Sequence, residues 1–100
     1  MTYNQFSIRA KVWLYPGKAG WYFVTIPEEF VDDINLFSHL KRGWGSLKVR
    51  ATIGNTTWDT SIFPDKRSGS YLLPIKSSVR QSEGIKVDQT INFNLEIIDH

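Results

Sequence analysis

The segment at residues 71–98 constrains the fold of this chain more than any other part of the sequence. Its first strand stops at Pro74, and Ser77 or Ser78 can cap the helix that follows. Gly84 can end that helix. The apolar side chains after the next turn alternate with polar ones, at Ile91, Phe93, Leu95 and Ile97. The segment therefore predicts strand, short helix, turn and strand, which shows how a β-rich fold ends but identifies no chemistry.

The same alternation of apolar and polar side chains marks several earlier segments as half-buried strands. In the first of them the apolar positions are Phe6, Ile8, Ala10 and Val12. Pro and Gly at residues 15–20 predict a hairpin turn, Gly54-Asn55 predicts a second tight turn, and residues 64–69 predict a loop. The predicted strands lie at 6–12, 21–26, 47–53, 58–62, 71–75 and 90–98.

A helix is predicted between the second and third strands, at residues 27–40. Pro27 suits the first helical turn, and Glu28 and Glu29 are favoured at the positive end of the helix dipole. The apolar residues Phe30, Ile34 and Phe37 follow at helical spacing. A second, shorter helix is predicted at 78–83.

Many short strands at this spacing favour a closed or partly closed barrel over an open sheet. The length suits one domain, at residues 1–100, and the sequence shows no internal repeat or linker. The predicted fold class is therefore all-β, a small barrel of about six strands with one helix near 27–40 and a short one near 78–83. The expected core contains Phe6, Ile8, Val12, Phe23, Ile34, Phe37, Val49, Ile53, Leu73, Ile75, Phe93, Leu95 and Ile97.

Composition excludes disulfide and thiolate chemistry, because the chain contains no cysteine. The net charge of +2 permits an anionic partner without requiring one. The first residues lack the basic start and apolar run of a signal peptide, and no apolar stretch is long enough to span a bilayer. We therefore expect a cytoplasmic protein.

The second half of the chain carries a motif that resembles a known family. The motif reads Trp58-x-Thr60-Ser61, Pro64, Gly69-x-Tyr71-x-Leu73-Pro74-Ile75-Lys76, Val79-Arg80 and Gly84-Ile85. It resembles a family of small bacterial domains of unknown function, numbered 1905 among such families. The resemblance implies a double-split β-barrel that pairs as a homodimer and has no assigned activity. The family usually has Gly-Asp before the last strand, where this chain has Val87-Asp88, so the type of that turn is open.

A second resemblance covers only residues 72–95. The pattern Leu-Pro-x5-Arg-x3-Gly-Ile-x2-Asp is similar to the core motif of swapped-hairpin DNA-binding proteins of the AbrB and MazE type. It implies an alternative function, that of a DNA-binding barrel. A shared barrel architecture without a shared function explains the pattern equally well.

The residues that we expect to border a ligand site are Trp58, Ser61, Lys76 and Arg80. Lys76 and Arg80 would bind the carboxylate or phosphate of an anionic small molecule, since Arg offers a planar fork of donors. Trp58 would cover an apolar part of the ligand, and a hydroxyl would orient it. The structural alternatives stay open. Arg80 could instead form a salt bridge to Asp88, Glu83 or Asp59, and Trp58 could lie in the core.

An aromatic and basic surface is a further hypothesis, because interleaved aromatic and basic side chains bind single-stranded nucleic acid. Its members would be Trp13, Trp21 and Trp44 with Arg9, Lys11, Lys41, Arg42, Lys48 and Arg50. The alternative is that the outward Lys and Arg keep strand edges soluble. The sequence does not decide between these two interpretations.

No metal site, cofactor site or catalytic set is predicted. His39 and His100 are far apart in the sequence and have no cysteine beside them, so they lack metal-ligand spacing. No glycine-rich phosphate loop occurs, and no signature links His39 to a nucleophile. The prediction is a non-catalytic small-molecule-binding or interaction module, with enzymatic activity the least supported class.

Overall fold

The computed structural model of this chain describes residues 4–17, 20–38 and 45–99. The described residues form six strands, two α-helices and one short 3₁₀ helix. The strands are β1 (Gln5–Leu14), β2 (Tyr22–Thr25), β3 (Leu47–Ile53), β4 (Thr56–Asp65), β5 (Ser70–Pro74) and β6 (Thr90–Ile97). The 3₁₀ helix (Glu28–Phe30) leads into α1 (Val31–Ser38), and α2 (Ser77–Glu83) lies between β5 and β6. No helix in the described part of the chain is long and apolar enough to cross a membrane.

The six strands close into a barrel in the order β1-β2-β5-β4-β3-β6. Every neighbouring pair is antiparallel. The predicted all-β barrel is therefore confirmed, with its helices at the two predicted places. Residues 39–44, which include the end of the predicted first helix, lie outside the described residues.

The two longest strands each change partner along their length. β1 pairs with β6 over residues 5–11 and with β2 over residues 12–14. β4 pairs with β3 over residues 56–62 and with β5 over residues 63–65. The barrel is therefore two small sheets that share β1 and β4, and each shared strand leaves a split where its two partners diverge. Phe30 packs edge-on against Phe6 of β1 near one split, and α2 lies beside the other.

The strand pairing has a two-fold pattern that the sequence does not show. The first half of the chain runs β1, β2, α1, β3, and the second half runs β4, β5, α2, β6. Exchanging the halves leaves the order of neighbours around the barrel unchanged. The two splits are thus equivalent in topology, but different side chains line them.

The core contains the inward-facing side chains of all six strands together with Ile34 of α1 and Val79 of α2. The predicted core residues are buried apart from Phe37, which is half-buried against the core. Phe23 is buried, but outside the barrel core to which the sequence assigned it. Its neighbour Val24 points into the barrel, so alternation directs Phe23 outward, where it packs between Trp13 and Trp21.

One loop differs from its prediction, and a second turn, whose type the sequence left open, is now defined. The predicted loop at 64–69 is shorter, because β4 continues through Pro64 to Asp65 and pairs there with Ser70 and Tyr71 of β5. Before β6, the left-handed backbone position that glycine would favour is occupied by Asp88, with φ of 70°. The Asp88 N–H donates to the Val12 carbonyl at 2.8 Å, which holds this turn against β1.

Candidate ligand-binding site

The split between β4 and β5 opens a cleft of 650 Å³ on the barrel surface. The pairing of these strands reaches only Phe63 and Leu72, and beyond that point β5 continues as the partner of β2. β4 meanwhile follows β3. The lining residues are Trp21, Lys48, Trp58, Asp59, Thr60, Ser61, Phe63, Pro74, Lys76 and Ile98.

Three of the four predicted site residues line this cleft. Alternation along β4 directs Ser61 outward, beside its cross-strand neighbour Lys48. Lys76 follows the end of β5 and is the residue from which α2 begins, with an extended backbone (φ −71°, ψ 161°). Trp58 is the third. The cleft thus gathers side chains from both sides of the split.

Trp58 is a core residue that also borders the cleft. Its side chain is only 8 % exposed and belongs to the hydrophobic core, opposite Ala51 of β3. A small residue across the strand pair leaves room for the indole inside the barrel. The aromatic wall that a ligand would meet is Trp21, which is 52 % exposed, with Phe63 exposed as well.

Arg80 lies outside the main cleft and is bound to the fold. Its Nε donates to the Ile75 carbonyl at 3.2 Å, and one terminal nitrogen donates to the Gly20 carbonyl at 3.3 Å. Its guanidinium also lies over the Tyr22 ring. Together with Lys76 it lines a smaller pocket of 240 Å³ that adjoins the main cleft and shares Trp21 with it.

The salt bridge considered for Arg80 is absent among the described residues. Glu83 instead accepts a hydrogen bond from the Thr56 hydroxyl at 2.6 Å, across the split. Asp59 pairs with Arg50, whose Nε lies 2.8 Å from the carboxylate. Arg80 therefore uses its donors on backbone carbonyls and its charge on an aromatic ring.

The electrostatics of the cleft favour an anion. Among the described residues that line it, Asp59 is the one with a carboxylate, and Arg50 holds the pKa of Asp59 below its ordinary value through a direct hydrogen bond and its charge. The same pair raises the pKa of Arg50. Asp59 is paired with Arg50, and a second carboxylate beside the cleft, that of Asp99, accepts a hydrogen bond from the Lys48 backbone N–H at 3.0 Å. The cleft offers two ammonium groups, two hydroxyls and an exposed indole.

Sequence reasoning missed Trp21, Phe63 and Lys48 as members of this cleft. The sequence assigns Trp21 and Lys48 to a hypothetical nucleic-acid surface instead. Their position beside β4 depends on strand pairing, which the residues themselves do not reveal. The signal that could have found Lys48 is its register in an antiparallel hairpin about Gly54 and Asn55, which places it opposite Ser61.

The sequence predicts no metal or cofactor site. Within the described ranges, no three His, Asp or Glu side chains lie close enough to hold a metal ion. His39 and His100 both fall outside those ranges. The cleft presents ammonium and hydroxyl groups that can donate hydrogen bonds to an anion.

Comparison with protein families gives a match over most of the barrel. Residues 9–95 match the model of the family described as "Domain of unknown function (DUF1905)". This range includes every strand at least in part and the whole of the candidate cleft apart from Ile98. A search of curated proteins gives no match.

Proposed function

The chain belongs to the DUF1905 family, and we propose that it is a non-catalytic module that binds an amphipathic anion in the cleft between β4 and β5. The observation that carries the proposal is the meeting of Lys48, Lys76 and the exposed face of Trp21 around one opening. A small site of this kind, apolar with a few converging polar groups, is the usual form of a ligand pocket.

Each group has a distinct part in the proposed complex. The ammonium groups of Lys48 and Lys76 would bind a carboxylate or phosphate, because each is a compact charge with three donors. The Ser61 hydroxyl, next to Lys48, would accept or donate one further hydrogen bond. Trp21 would cover the apolar part of the ligand. Arg80 would hold the adjoining wall in place, rather than meet the anion as the sequence suggested.

A thermal-shift experiment with a matched pair of probes tests this proposal. 2-Naphthoate and 2-naphthamide share their ring but differ in charge, so only the carboxylate should raise the melting temperature. Lys48→Gln and Lys76→Gln should each reduce the shift, because each removes one of the two cations. Lys66→Gln, in the exposed turn after β4, is the matched control and should leave it unchanged. Equal shifts from both probes, or an equal loss in the control variant, would contradict the proposal.

The same thermal-shift assay distinguishes anion binding in the cleft from the alternative function, binding of duplex DNA. A DNA duplex that raised the melting temperature in low salt, and lost this effect in high salt, would favour phosphate contacts over the cleft. Binding of naphthoate in a partly enclosed site should respond less to salt.

We also propose a homodimer, on the strength of the family resemblance. Light scattering over a range of micromolar concentrations tests it. A dimer mass that falls on dilution supports the proposal, and a monomer mass at every concentration removes it. The cleft proposal does not depend on the result, because all its described lining residues come from one chain.

A further inference from the structure

The outer face of β1 carries two basic side chains and one aromatic side chain in a row, and a second aromatic residue follows the strand. Alternation places Arg9, Lys11 and Trp13 on this face, and Tyr15 continues the row just past the end of the strand. The adjoining strand β2 adds Phe23, and Trp21 lies directly before that strand. We call these six residues the β1 stripe. The structure therefore divides the aromatic and basic surface that the sequence predicts. Lys48 and Arg50 lie on β3 and do not join the stripe, and Trp44, Lys41 and Arg42 lie outside the described residues.

The aromatic end of the stripe is held in one arrangement by ring contacts about Phe23. The Phe23 ring lies 5.3 Å from Trp13, 6.0 Å from Tyr15 and 5.9 Å from Trp21, measured between centroids. The Trp13 indole N–H also donates to the Thr25 hydroxyl at 3.0 Å. Phe23 is buried beneath the others, whereas Trp21 is 52 % exposed and Tyr15 is 40 % exposed. The exposed rings are therefore ordered before any ligand arrives.

Arg9 and Lys11 give the basic end of the stripe two positive charges, while Glu29 and Asp33 line a pocket with Ser7 near the start of β1. The cross-strand neighbours of Arg9 and Lys11 in β6 are Asn92 and Thr90, which are neutral. The turn that packs against β1 through Val12 contains one carboxylate, and Lys86 in the same turn offsets it. The exposed Arg9 and Lys11 side chains thus face solvent beside exposed aromatic rings.

We propose that the β1 stripe binds single-stranded nucleic acid. Arg9 and Lys11 would contact backbone phosphates, and Tyr15 and Trp21 would stack on unpaired bases. Stacking of this kind requires bases that are free of a duplex, and it tolerates any base because every base has an aromatic face. The site is separate from the proposed anion cleft except at Trp21, which borders both.

Fluorescence anisotropy with a labelled oligothymidylate of about twelve nucleotides tests the proposal. Tyr15→Ala should weaken binding by about tenfold, the effect expected for the loss of one stacked base. Lys11→Gln should weaken binding and reduce the slope of log affinity against log salt by about one, since one phosphate contact is lost. Lys66→Gln and Leu36→Ala, which change an exposed cation and an exposed apolar residue elsewhere, are the matched controls. Both controls should bind like the unaltered chain.

Two further measurements decide what the stripe recognises. A duplex of the same length and heparin, which has charge but no bases, should both bind more weakly than the oligothymidylate. Equal binding of heparin, with no effect of Tyr15→Ala, would show attraction by charge alone and overturn the proposal, as would the absence of binding.

Light scattering on the Tyr15→Ala variant tests whether a second copy covers the stripe. A change from dimer to monomer would make the stripe an interface between copies and overturn the proposal. An unchanged mass together with weakened oligothymidylate binding supports it. Lys11→Gln, which lies outside the cleft, should leave the naphthoate shift unchanged, so the two proposals can fail separately.

Discussion

The guanidinium carbon of Arg80 lies 3.8 Å from the centroid of the Tyr22 ring. The same guanidinium donates hydrogen bonds to the carbonyls of Ile75 and Gly20. One side chain of α2 therefore contacts Tyr22 at the start of β2, Gly20 in the hairpin turn, and Ile75 directly after β5. The arginine of the family motif has a structural role in this chain, and it shapes the cleft by holding the wall next to Lys76.

We expect Arg80→Ala to lower the free energy of unfolding by about 1–3 kcal/mol, because a cation–π contact and two hydrogen bonds are lost. Arg80→Lys should recover only part of this loss, since an ammonium cannot stack flat on Tyr22 while donating to two carbonyls. Urea unfolding followed by circular dichroism measures both changes.

The exposed turn residue Arg67 provides the control for this prediction. Arg67→Ala removes the same charge from the surface and should change the free energy of unfolding by less than about 0.5 kcal/mol. If Arg80→Ala proves as mild as this control, the contacts of Arg80 add nothing to stability, and Arg80 becomes available again as a ligand-binding residue.

The Thr56–Glu83 hydrogen bond ties the last turn of α2 to β4 across the split, and Gly54 lies against it. A Cβ at Gly54 would overlap the Glu83 carboxylate, and its φ of 56° is left-handed. Gly54→Ala should therefore cost more than the roughly 1–2 kcal/mol of left-handed strain. Gly69→Ala is the matched control, because Gly69 has φ of 72° and no atom near the added methyl group. Urea unfolding of both variants gives the comparison.

A double variant separates the steric overlap with Glu83 from the backbone strain at position 54. Glu83→Ala removes the carboxylate that the Gly54→Ala methyl group would meet, so the two changes together should cost less than their sum. Additive effects would show that Glu83 moves away freely and that the bond to Thr56 contributes little.

Much of the fold was predictable because the signals are local. Period-two alternation identifies a strand whatever its partner, and Gly84 ends α2 with φ of 63°, as a C-terminal glycine should. The extent of β4 was not predictable, since Pro64 and Asp65 continue the strand only because β5 pairs with them. The two-fold pattern of the barrel was also hidden, because it lies in the order of strand pairing and not in repeated side chains.

The candidate cleft was predictable only in part. Lys76 and Ser61 belong to one motif, and the motif does lie along one opening. Trp21 comes from a distant hairpin that reaches this place through the pairing of Phe23 with Pro74. The hydrogen-bond partners of Arg80 are backbone carbonyls, which every residue carries and which therefore leave no signal in the sequence.

The two tryptophans of the cleft should respond in opposite ways to truncation. Trp58→Ala leaves a cavity in the core and should cost about 3–5 kcal/mol of unfolding free energy. Trp21→Ala removes a mostly exposed ring and should cost less than about 1 kcal/mol, yet it should abolish the naphthoate shift. Urea unfolding and thermal shift on the same samples measure both effects. A large loss of stability in Trp21→Ala would make Trp21 a structural residue and weaken its proposed part in binding.

The Asp59 carboxylate should titrate below the ordinary Asp value of 3.8, since Arg50 donates hydrogen bonds to its charged form. The folded-state pKa is the lower one, so the stabilisation is complete above the unfolded-state pKa and disappears as the pH falls through the folded-state pKa. Both side chains are about half exposed, so added salt should reduce the effect. Carboxyl-carbon NMR titration gives the pKa directly. Arg50→Gln should return the pKa of Asp59 toward 3.8, whereas Lys66→Gln should not, and an unchanged pKa in Arg50→Gln would refute this assignment.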